Sequence, residues 1–381
     1  MAKCLSELRP VYVVGVGWHR YQPASETPYV ALGLKAIRDA LADARLEWSD
    51  VESSYVATAR LGMAGGRAML RHLGALGRPL VHVENASASG SAAFRHACIE
   101  VAAGISDVVL AVGVDKPGTA PRATSQLDQL GLVGGAIVPF THFALLTNAY
   151  AEAHDVTAED IARIALKNHR NGARNENAQR QKERTLEEIL SGKKVSGSLT
   201  ALQCTPIGEG AAAAIIASAD AITRLGLEVG RAIRVAGSAA NSEAAGSESN
   251  PDQAITRAAV AAALAEAQIR PTELDVIELH DAFAIEELLY AEGAGVCAAG
   301  EFVPLLKEGA FDIGGRCAIS PSGGLIAMGH PIGPTGLGQI GEITRQLRGE
   351  AGARQHKGAR IGLAHMVGVG AVCYAHILKR D

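Results

Sequence analysis

The chain has 381 residues, of which 48% are hydrophobic and 4% are aromatic. The formal net charge is −4 and the Lys and Arg residues are scattered, so we expect no basic surface for nucleic acid or anionic lipid. The length predicts two domains of ordinary size, and no apolar run reaches the roughly 18 residues of a membrane span.

The six cysteines lie far apart in the sequence, and none forms a C-x-x-C pair. We therefore expect no zinc site and no other metal site. Widely spaced cysteines in a chain of this size are typical of reduced thiols. Because no apolar run of the signal-peptide type begins the sequence, we expect a cytoplasmic protein. The cysteines are Cys4, Cys98, Cys204, Cys297, Cys317 and Cys373.

Strand-forming and helix-forming runs alternate through the first part of the chain. The order is strand, helix, strand, strand, helix and strand, which predicts an α/β fold with a mostly parallel sheet covered by helices. The runs are Val11–Val16, Tyr29–Ala44, Val51–Thr58, Val81–Glu84, Asn85–Gly104 and Val108–Val114.

A turn rich in small residues lies within Val83–Phe94, between a strand and a helix. Its Ser87 is predicted at the N-terminus of the helix, where backbone N–H groups and the helix dipole favour negative charge. That position suits a nucleophile. The alternative is a plain turn in which a serine caps the helix.

The segment 116–198 interrupts this alternation and is more polar. Thr185-x-x-Glu188 predicts a capping box at the start of a helix. An insertion with helices of its own predicts a lid or a dimer-facing subdomain. Its apolar run Gly131–Phe140 suits either an acyl or aromatic tail or ordinary core packing.

The second part of the chain resembles the first. The run 40–52 recurs 223 residues later at 263–275, and Val13–Val16 resembles Val235–Ser238 at an offset of 222. We interpret this as two copies of one α/β domain, residues 1–220 and 221–381. The alternative is that alanine-rich helices resemble one another by chance.

Two segments of the second part carry histidines. His280 and Asp281 follow the predicted strand Asp275–Leu279, at the strand end where sites in α/β sheets form. Residues 320–336 hold five glycines, three prolines and His330, which predicts a rigid loop whose backbone approaches another group closely. The alternatives are a structural histidine in the first segment and glycines needed for packing in the second.

A last glycine-rich segment, residues 362–370, predicts a strand, a loop and a second strand. Gly368, Val369 and Gly370 lie in the predicted loop, where their backbone N–H groups can face an oxyanion. An ordinary glycine-rich turn fits the same residues.

Taken together and in this order, the four segments resemble the thiolase superfamily, and within it the sterol-carrier-protein/lipid-transfer type. The resemblance extends over nearly the whole chain. It implies a duplicated thiolase fold of five layers, αβαβα, and a homodimer. It also implies that Ser87 stands at the nucleophile position, that His330 activates the nucleophile, and that His280 completes an oxyanion hole.

The sequence departs from the thiolase pattern at three cysteine positions. Ser87 stands where the family has its nucleophilic cysteine, and Ala282 and Val367 stand where it has a second, proton-shuttling cysteine. A serine hydroxyl is harder to ionise than a thiol, and its ester is a poorer acyl donor. The resemblance assigns the second oxyanion hole to backbone N–H groups of Ser87 and of Gly368–Gly370.

Three functions follow from these observations. The first is an acyl-CoA acyltransferase or β-ketoacyl-CoA thiolase with an acyl-enzyme at position 87. The second is a thiolase-fold lyase that splits a β-hydroxyacyl-CoA by retro-aldol chemistry, and the third is a non-catalytic thiolase-like subunit. The retained histidines favour the first function, whereas the missing cysteines favour the second.

The expected ligand is coenzyme A or acyl-CoA, bound as a substrate, with no permanently bound cofactor. Ser247 and Gly329 are the candidates for contacts with CoA. The resemblance also implies a small partner protein with an OB fold and a zinc ribbon, which would give a heterotetramer.

Overall fold

The protein is described by a computed structural model, which covers residues 4–117, 139–244, 250–368 and 372–381. Three predicted site residues, Ser247, Val369 and Gly370, lie outside these residues, as does the part 131–138 of the apolar run in the insertion. Within the described residues, no helix combines the length and the apolar composition that crossing a membrane requires.

Helices and strands alternate along the described chain. The helices are α1 (Tyr29–Ala44), α2 (Gly65–Leu70), α3 (Ser89–Ala102), α4 (Pro139–His154), α5 (Ala158–Gly172), α6 (Leu186–Leu190), α7 (Ala219–Arg224), α8 (Pro251–Ala267), α9 (Ala284–Gly293), α10 (Phe302–Lys307), α11 (Gly324–Met328) and α12 (Thr335–Arg348). The strands are β1 (Val11–Gln22), β2 (Ser53–Ala57), β3 (Leu80–Val83), β4 (Val108–Asp115), β5 (Lys194–Ser196), β6 (Leu199–Thr200), β7 (Glu209–Ser218), β8 (Ile233–Ser242), β9 (Val276–Glu278), β10 (Ala318–Ile319), β11 (Ile361–Gly368) and β12 (Val372–Lys379).

Ten of the described strands form one continuous sheet in the order β10-β9-β11-β12-β8-β1-β7-β4-β2-β3. The strands at its two ends pair in parallel, as β2 does with β3 and β4 and as β9 does with β10 and β11. The strands between them pair antiparallel. The sheet is therefore mixed rather than mostly parallel, because β7 and β12 each run antiparallel to both of their neighbours.

The strand order has a mirror relationship about its centre. From the outside inward, β3, β2, β4, β7 and β1 in one half correspond to β10, β9, β11, β12 and β8 in the other. The halves are joined through a short antiparallel pairing of β1 with β8, at Tyr12 with Arg234 and Val13 with Ile233. We propose from this order that the halves are copies of one unit, divided near residue 220.

Helices cover both faces of each half. Helix α1 packs on β1, β7 and β4, and α8 packs in the same way on β8 and β12. Helices α3 and α12 contact each other, and α3 also contacts β4 while α12 contacts β11. These contacts put α3 and α12 in the layer between the two halves of the sheet, so the predicted α/β fold with helices on both faces of the sheet is confirmed.

Small side chains allow the layers to approach closely. Strand β7 is buried along its whole length, and five of its residues, 211–214 and 217, are alanines. At Gly17 of β1, an added Cβ would overlap the backbone of α1 at Ala36 and Ala40. The abundance of Ala and Gly in the sequence is therefore a requirement of helix-on-sheet packing here.

Candidate active site

Ser87 and His330 meet at the layer between the two halves. The Ser87 Oγ lies 2.9 Å from the His330 Nε2, and the His330 Nδ1 lies 2.8 Å from the Thr335 Oγ1. A proton on Nδ1 that is donated to Thr335 leaves Nε2 to accept the Ser87 proton, which satisfies both contacts at once. The geometry is that of a hydroxyl nucleophile, a base and a group that orients the base.

The Ser87 turn is held in a specific shape. Ala86 has a φ of 48°, in the left-handed region that a residue with a Cβ rarely adopts. The Asn85 N–H donates to the Ser89 Oγ at 2.8 Å, and the Asn85 side-chain amide donates to the Tyr374 hydroxyl at 3.0 Å. Because α3 begins at Ser89, the Ser87 side chain lies beside a helix N-terminus that favours negative charge.

The loop that carries His330 is also constrained. Ile332, two residues after His330, is β-branched and has a φ of 77°. The loop is held by the buried Asp115 at the end of β4, whose carboxylate accepts from the Gly333 N–H at 2.8 Å and from the Thr58 hydroxyl at 2.6 Å. Burial raises the pKa of Asp115 to about 6, although these hydrogen bonds oppose the rise. Backbone strain of this kind persists only where surrounding contacts enforce it.

His280 stands beside His330. The two rings are packed edge to face with their centroids 5.4 Å apart. The His280 Nδ1 lies 3.0 Å from the Glu286 Oε1, whereas the buried His280 Nε2 has no hydrogen-bond partner among the described residues. An unpaired polar atom in a buried position is costly, which indicates that Nε2 meets a group that binds here.

Asp281 belongs to a buried network behind the two histidines. Its carboxylate accepts from the Leu325 N–H at 2.6 Å and from the Asn168 amide at 2.7 Å. The same Asn168 amide donates to Glu287, whose other oxygen lies 2.9 Å from the Lys167 ammonium. Burial and the neighbouring Glu287 raise the pKa of Asp281 well above its usual range. This network ties α5, α9 and α11 together and so fixes the loop that leads to His330.

The remaining described positions of interest surround these groups. Gly368 lies against the Ser87 turn, since an added Cβ would come 2.5 Å from the Asn85 carbonyl oxygen. Gly329, with a φ of 106°, is buried, and an added Cβ would come 3.0 Å from the Gln179 side chain. Ala282 and Val367 are both buried. A contact of Gly329 with CoA stays a prediction.

Cysteines near the site are not held as thiolates. Burial raises the pKa of Cys204 and that of Cys373 to about 12. The described residues also contain no group of three or more His, Cys, Asp or Glu side chains that can hold a metal ion. Ser87 therefore stays the predicted nucleophile of the site.

Comparison with known proteins agrees with this geometry. Residues 21–187 match the thiolase N-terminal domain, and residues 237–380 match the thiolase C-terminal domain-like family. The chain is 36% identical over 384 residues to sterol carrier protein 2 of Gallus gallus, covering 95% of this chain and 70% of that protein. The chain belongs to the thiolase family.

Other members of the family are similar over nearly their full length. The benzoylsuccinyl-CoA thiolase subunit BbsB of Thauera aromatica is 34% identical over 376 residues, which is 95% of each chain. The acetyl-CoA acetyltransferase of Methanothermobacter thermautotrophicus is 32% identical over 390 residues, covering 98% of this chain and 100% of that protein. The predicted membership of the thiolase superfamily and its sterol-carrier-protein type is confirmed.

Solved structures share the fold of this thiolase-family chain. The Ltp2-ChsH2(DUF35) aldolase superposes with a TM-score of 0.86 at 23% identity, covering 98% of both chains. Human mitochondrial 3-ketoacyl-CoA thiolase in complex with CoA superposes with a TM-score of 0.75 at 19% identity, covering 100% of both chains. At these identities the likeness shows the thiolase fold alone.

Several residues of the site were not predicted from the sequence. Glu286, Thr335, Asp115 and Lys167 were not singled out, although each contacts a predicted residue or holds its loop. One signal was available for Glu286, which stands at the third position of α9 and accepts from the N–H of Phe283, three residues earlier. No such local signal exists for Asp115, because it meets Gly333 from 218 residues away.

Proposed function

We propose that this protein is an acyltransferase of the thiolase type that cleaves or forms a carbon–carbon bond beside an acyl-CoA thioester, with Ser87 as the acyl acceptor. The contact of 2.9 Å between the Ser87 Oγ and the His330 Nε2 carries the proposal. The relatives named as thiolase subunit and acetyltransferase support the same class.

In this mechanism His330 removes the Ser87 proton as the oxygen attacks the ketone carbonyl of a β-ketoacyl-CoA. Thr335 keeps the His330 ring in the tautomer that accepts this proton. The carbon–carbon bond then breaks, its electrons pass into the enolate of the departing acyl-CoA, and an acyl ester remains on Ser87. The enolate takes up a proton at its α-carbon. Attack of a CoA thiol on the ester then releases a second acyl-CoA, the Ser87 oxygen regains the proton held by His330, and the thiol proton replaces the one that the enolate took.

The serine changes the balance of the two half-reactions. A thiol is deprotonated far more easily than a hydroxyl, so the first attack depends more strongly on His330 than it does with cysteine. The ester is also a weaker acyl donor to CoA than a thioester. We therefore expect slow turnover with a long-lived acyl-enzyme.

A second candidate function is retro-aldol cleavage of a β-hydroxyacyl-CoA. The unpaired Nε2 of the buried His280 favours it, because that reaction needs a proton acceptor and a donor to the enolate but no covalent intermediate. Ala282 and Val367 in place of the shuttling cysteines are consistent with it as well. A non-catalytic subunit is the weakest alternative, because it needs neither the Ser87–His330 contact nor a constrained loop.

One assay distinguishes acyl transfer from retro-aldol cleavage. The wild-type protein and Ser87→Ala are each given a β-ketoacyl-CoA with CoA, and separately a β-hydroxyacyl-CoA. Acyl transfer predicts that Ser87→Ala abolishes cleavage of the β-ketoacyl-CoA. The second candidate would be established instead by two results together. Ser87→Ala would still release an aldehyde from the β-hydroxyacyl-CoA, and the wild type would show no thiolysis.

An acyl-CoA thioester is the substrate in both cases, free CoA is a second substrate of acyl transfer alone, and chemistry of this type needs no permanently bound cofactor. We also propose a homodimer, and a small OB-fold/zinc-ribbon partner protein, since the relative BbsB is described as one subunit of its thiolase. The six free cysteines support a cytoplasmic location. Light scattering at micromolar concentration tests the dimer, and a monomeric mass contradicts it.

A further inference from the structure

We propose that Glu286 positions His280 as the proton shuttle of this site, so that the His280–Glu286 pair moves the α-proton that the family's second cysteine moves. The inference rests on the proposed function in its choice of substrate, an acyl-CoA with a hydrogen on its α-carbon. The two residues at the cysteine positions, Ala282 and Val367, have no group that can accept a proton.

The Glu286 carboxylate is fixed through both of its oxygens. Its Oε1 lies 3.0 Å from the His280 Nδ1, and its Oε2 accepts from the Phe283 N–H at 2.8 Å. The second contact is the capping interaction at the start of α9, so the backbone of the helix sets the direction of the carboxylate. With only 1% of the Glu286 surface exposed, solvent screens its interaction with His280 very little.

The opposite edge of the His280 ring carries Nε2. Nε2 is buried without a partner among the described residues, while the ring packs edge to face on His330, which contacts Ser87. One nitrogen is therefore held by a carboxylate, and the other is left without a partner among the described residues, in a ring that packs on His330. A carboxylate that accepts from Nδ1–H keeps the proton on that nitrogen, so the Nε2 lone pair is the one that can accept a proton.

Burial shifts the pKa values of the other ionisable groups around Glu286. The Tyr290 hydroxyl donates to the Glu286 Oε1 at 3.0 Å, and burial raises the pKa of Tyr290 well above its usual range. Burial, aided by the charge of Glu286, raises the pKa of Asp252. Burial lowers the pKa of His365, whose Nδ1 faces the His280 N–H, to about 3, and it raises that of Cys204 to about 12.

The proton step balances without any further reactant. In the condensing direction, the bond between the α-carbon and its hydrogen breaks, its electron pair enters the enolate, and the proton binds the His280 Nε2. Glu286 keeps the Nδ1 proton in a hydrogen bond throughout. In the cleaving direction, the His280 Nε2 returns that proton to the α-carbon of the enolate that leaves.

The substitution Glu286→Gln distinguishes a His280 that accepts a proton from a His280 that only donates a hydrogen bond. Its amide oxygen still accepts from the Phe283 N–H, but its NH₂ group faces Nδ1, so the His280 proton must move to Nε2. In Glu286→Gln the His280 Nε2 therefore carries the proton, so it can donate to an oxyanion but can no longer accept a proton. Glu286→Gln is therefore expected to slow proton exchange without removing the oxyanion contact.

The experiment uses acetyl-CoA as the probe with the full-length protein. Deuterium incorporation at its α-carbon in D₂O and acetylation of Ser87 are both followed by mass spectrometry. We expect Glu286→Gln to slow deuterium exchange about 100-fold and to leave Ser87 acetylation near the wild-type rate. Glu286→Asp, which keeps the charge, is expected to recover part of the exchange, so the result does not depend on Glu286→Gln alone.

Glu292→Gln on the same helix is the matched control. The Glu292 carboxylate accepts from the Tyr150 hydroxyl at 2.5 Å and lies outside the site, so exchange in Glu292→Gln is expected at the wild-type rate. Exchange that is equally fast in Glu286→Gln, or acetylation that falls by the same factor as exchange, would overturn the inference. A wild-type protein that exchanges the α-proton but never acetylates Ser87 would contradict the proposed acyl transfer and leave the role of Glu286 standing.

Discussion

The Ser87 Oγ and the His330 Nε2 lie 2.9 Å apart although 243 residues separate them in the chain. Ser87 precedes α3 and His330 precedes α12, and these two helices pack on each other between the two halves of the sheet. Ser87 and His330 therefore come from different halves, and they meet only when both halves are folded and packed. The site depends on the layer arrangement rather than on any local motif.

The contact between His330 and Thr335 predicts a loss of rate without a loss of binding. Thr335→Val removes the hydrogen bond that orients the His330 ring, and a hydrogen bond of about 1.4 kcal/mol corresponds to about a tenfold fall in kcat. The KM for the acyl-CoA is expected to stay unchanged in steady-state kinetics. Thr344→Val on the same helix removes a buried hydroxyl that bonds the Ile340 carbonyl, and it is the control in which kcat stays at the wild-type value.

The identity of residue 87 predicts a gain of rate. Ser87→Cys supplies a nucleophile that ionises readily beside His330 and the N-terminus of α3, and its thioester is a better acyl donor. We expect thiolysis of a β-ketoacyl-CoA to rise by about 100-fold or more, measured as CoA consumption. Thiolysis that stays at the wild-type rate in this variant would argue against acyl transfer through position 87.

The buried ion pair of Lys167 and Glu287 predicts a large effect on stability. Lys167→Met leaves Glu287 and Asp281 without a cation in the core and is expected to lower the free energy of unfolding by about 3 kcal/mol in urea titrations. Lys35→Met breaks the exposed ion pair with Asp39, and a change of less than about 1 kcal/mol is expected. Equal effects of the two substitutions would show that the buried network is not what stabilises the fold.

Glu278 predicts a pH dependence of stability. Burial, followed by the charge of Glu342, raises the pKa of Glu278 from its ordinary value of 4.5 to about 8. Because the folded state holds the proton more tightly, the contribution of Glu278 is complete below its ordinary pKa and is lost as the pH rises toward 8. Between about pH 6 and about pH 8.5 the wild type is expected to lose roughly 2 kcal/mol more stability than Glu278→Gln.

Denaturant unfolding at both pH values measures this difference. Glu278→Gln resembles the protonated side chain, so its stability is expected to vary less with pH over the same range. A variant and a wild type that lose the same stability between the two pH values would show that Glu278 is already ionised in the folded protein at neutral pH.

The fold was predictable from the sequence wherever hydrophobic periodicity decides it. Helix α1 begins and ends as predicted, and Thr185 and Glu188 form the predicted capping box. The helix after Ser87 was predicted from Asn85 but begins at Ser89, because the left-handed Ala86 turns the chain before the helix starts. Strand β1 continues to Gln22, beyond the predicted Val16, because pairing with β7 stabilises residues that look irregular in isolation.

The two histidines could be predicted from the sequence because a glycine-rich motif and a strand-end motif mark them. The structure brings His280, His330 and Ser87 together. Their roles in catalysis stay predictions. The residues around these histidines could not be predicted from the sequence, for a physical reason. Glu286 is one acidic residue at a helix start among many, and Lys167 looked like part of a polar insertion, yet it is buried against the core. Only the packing of the halves distinguishes such residues from solvated ones.

The most direct test of acyl transfer through Ser87 is intact-protein and peptide mass spectrometry after incubation of the wild type with a β-ketoacyl-CoA in the absence of free CoA. We expect one acyl group per chain, on the peptide that contains Ser87, and its loss when CoA is added. His330→Ala is expected to prevent the adduct. Cleavage of the substrate by the wild type with no acyl group on Ser87 at any time would contradict the proposal.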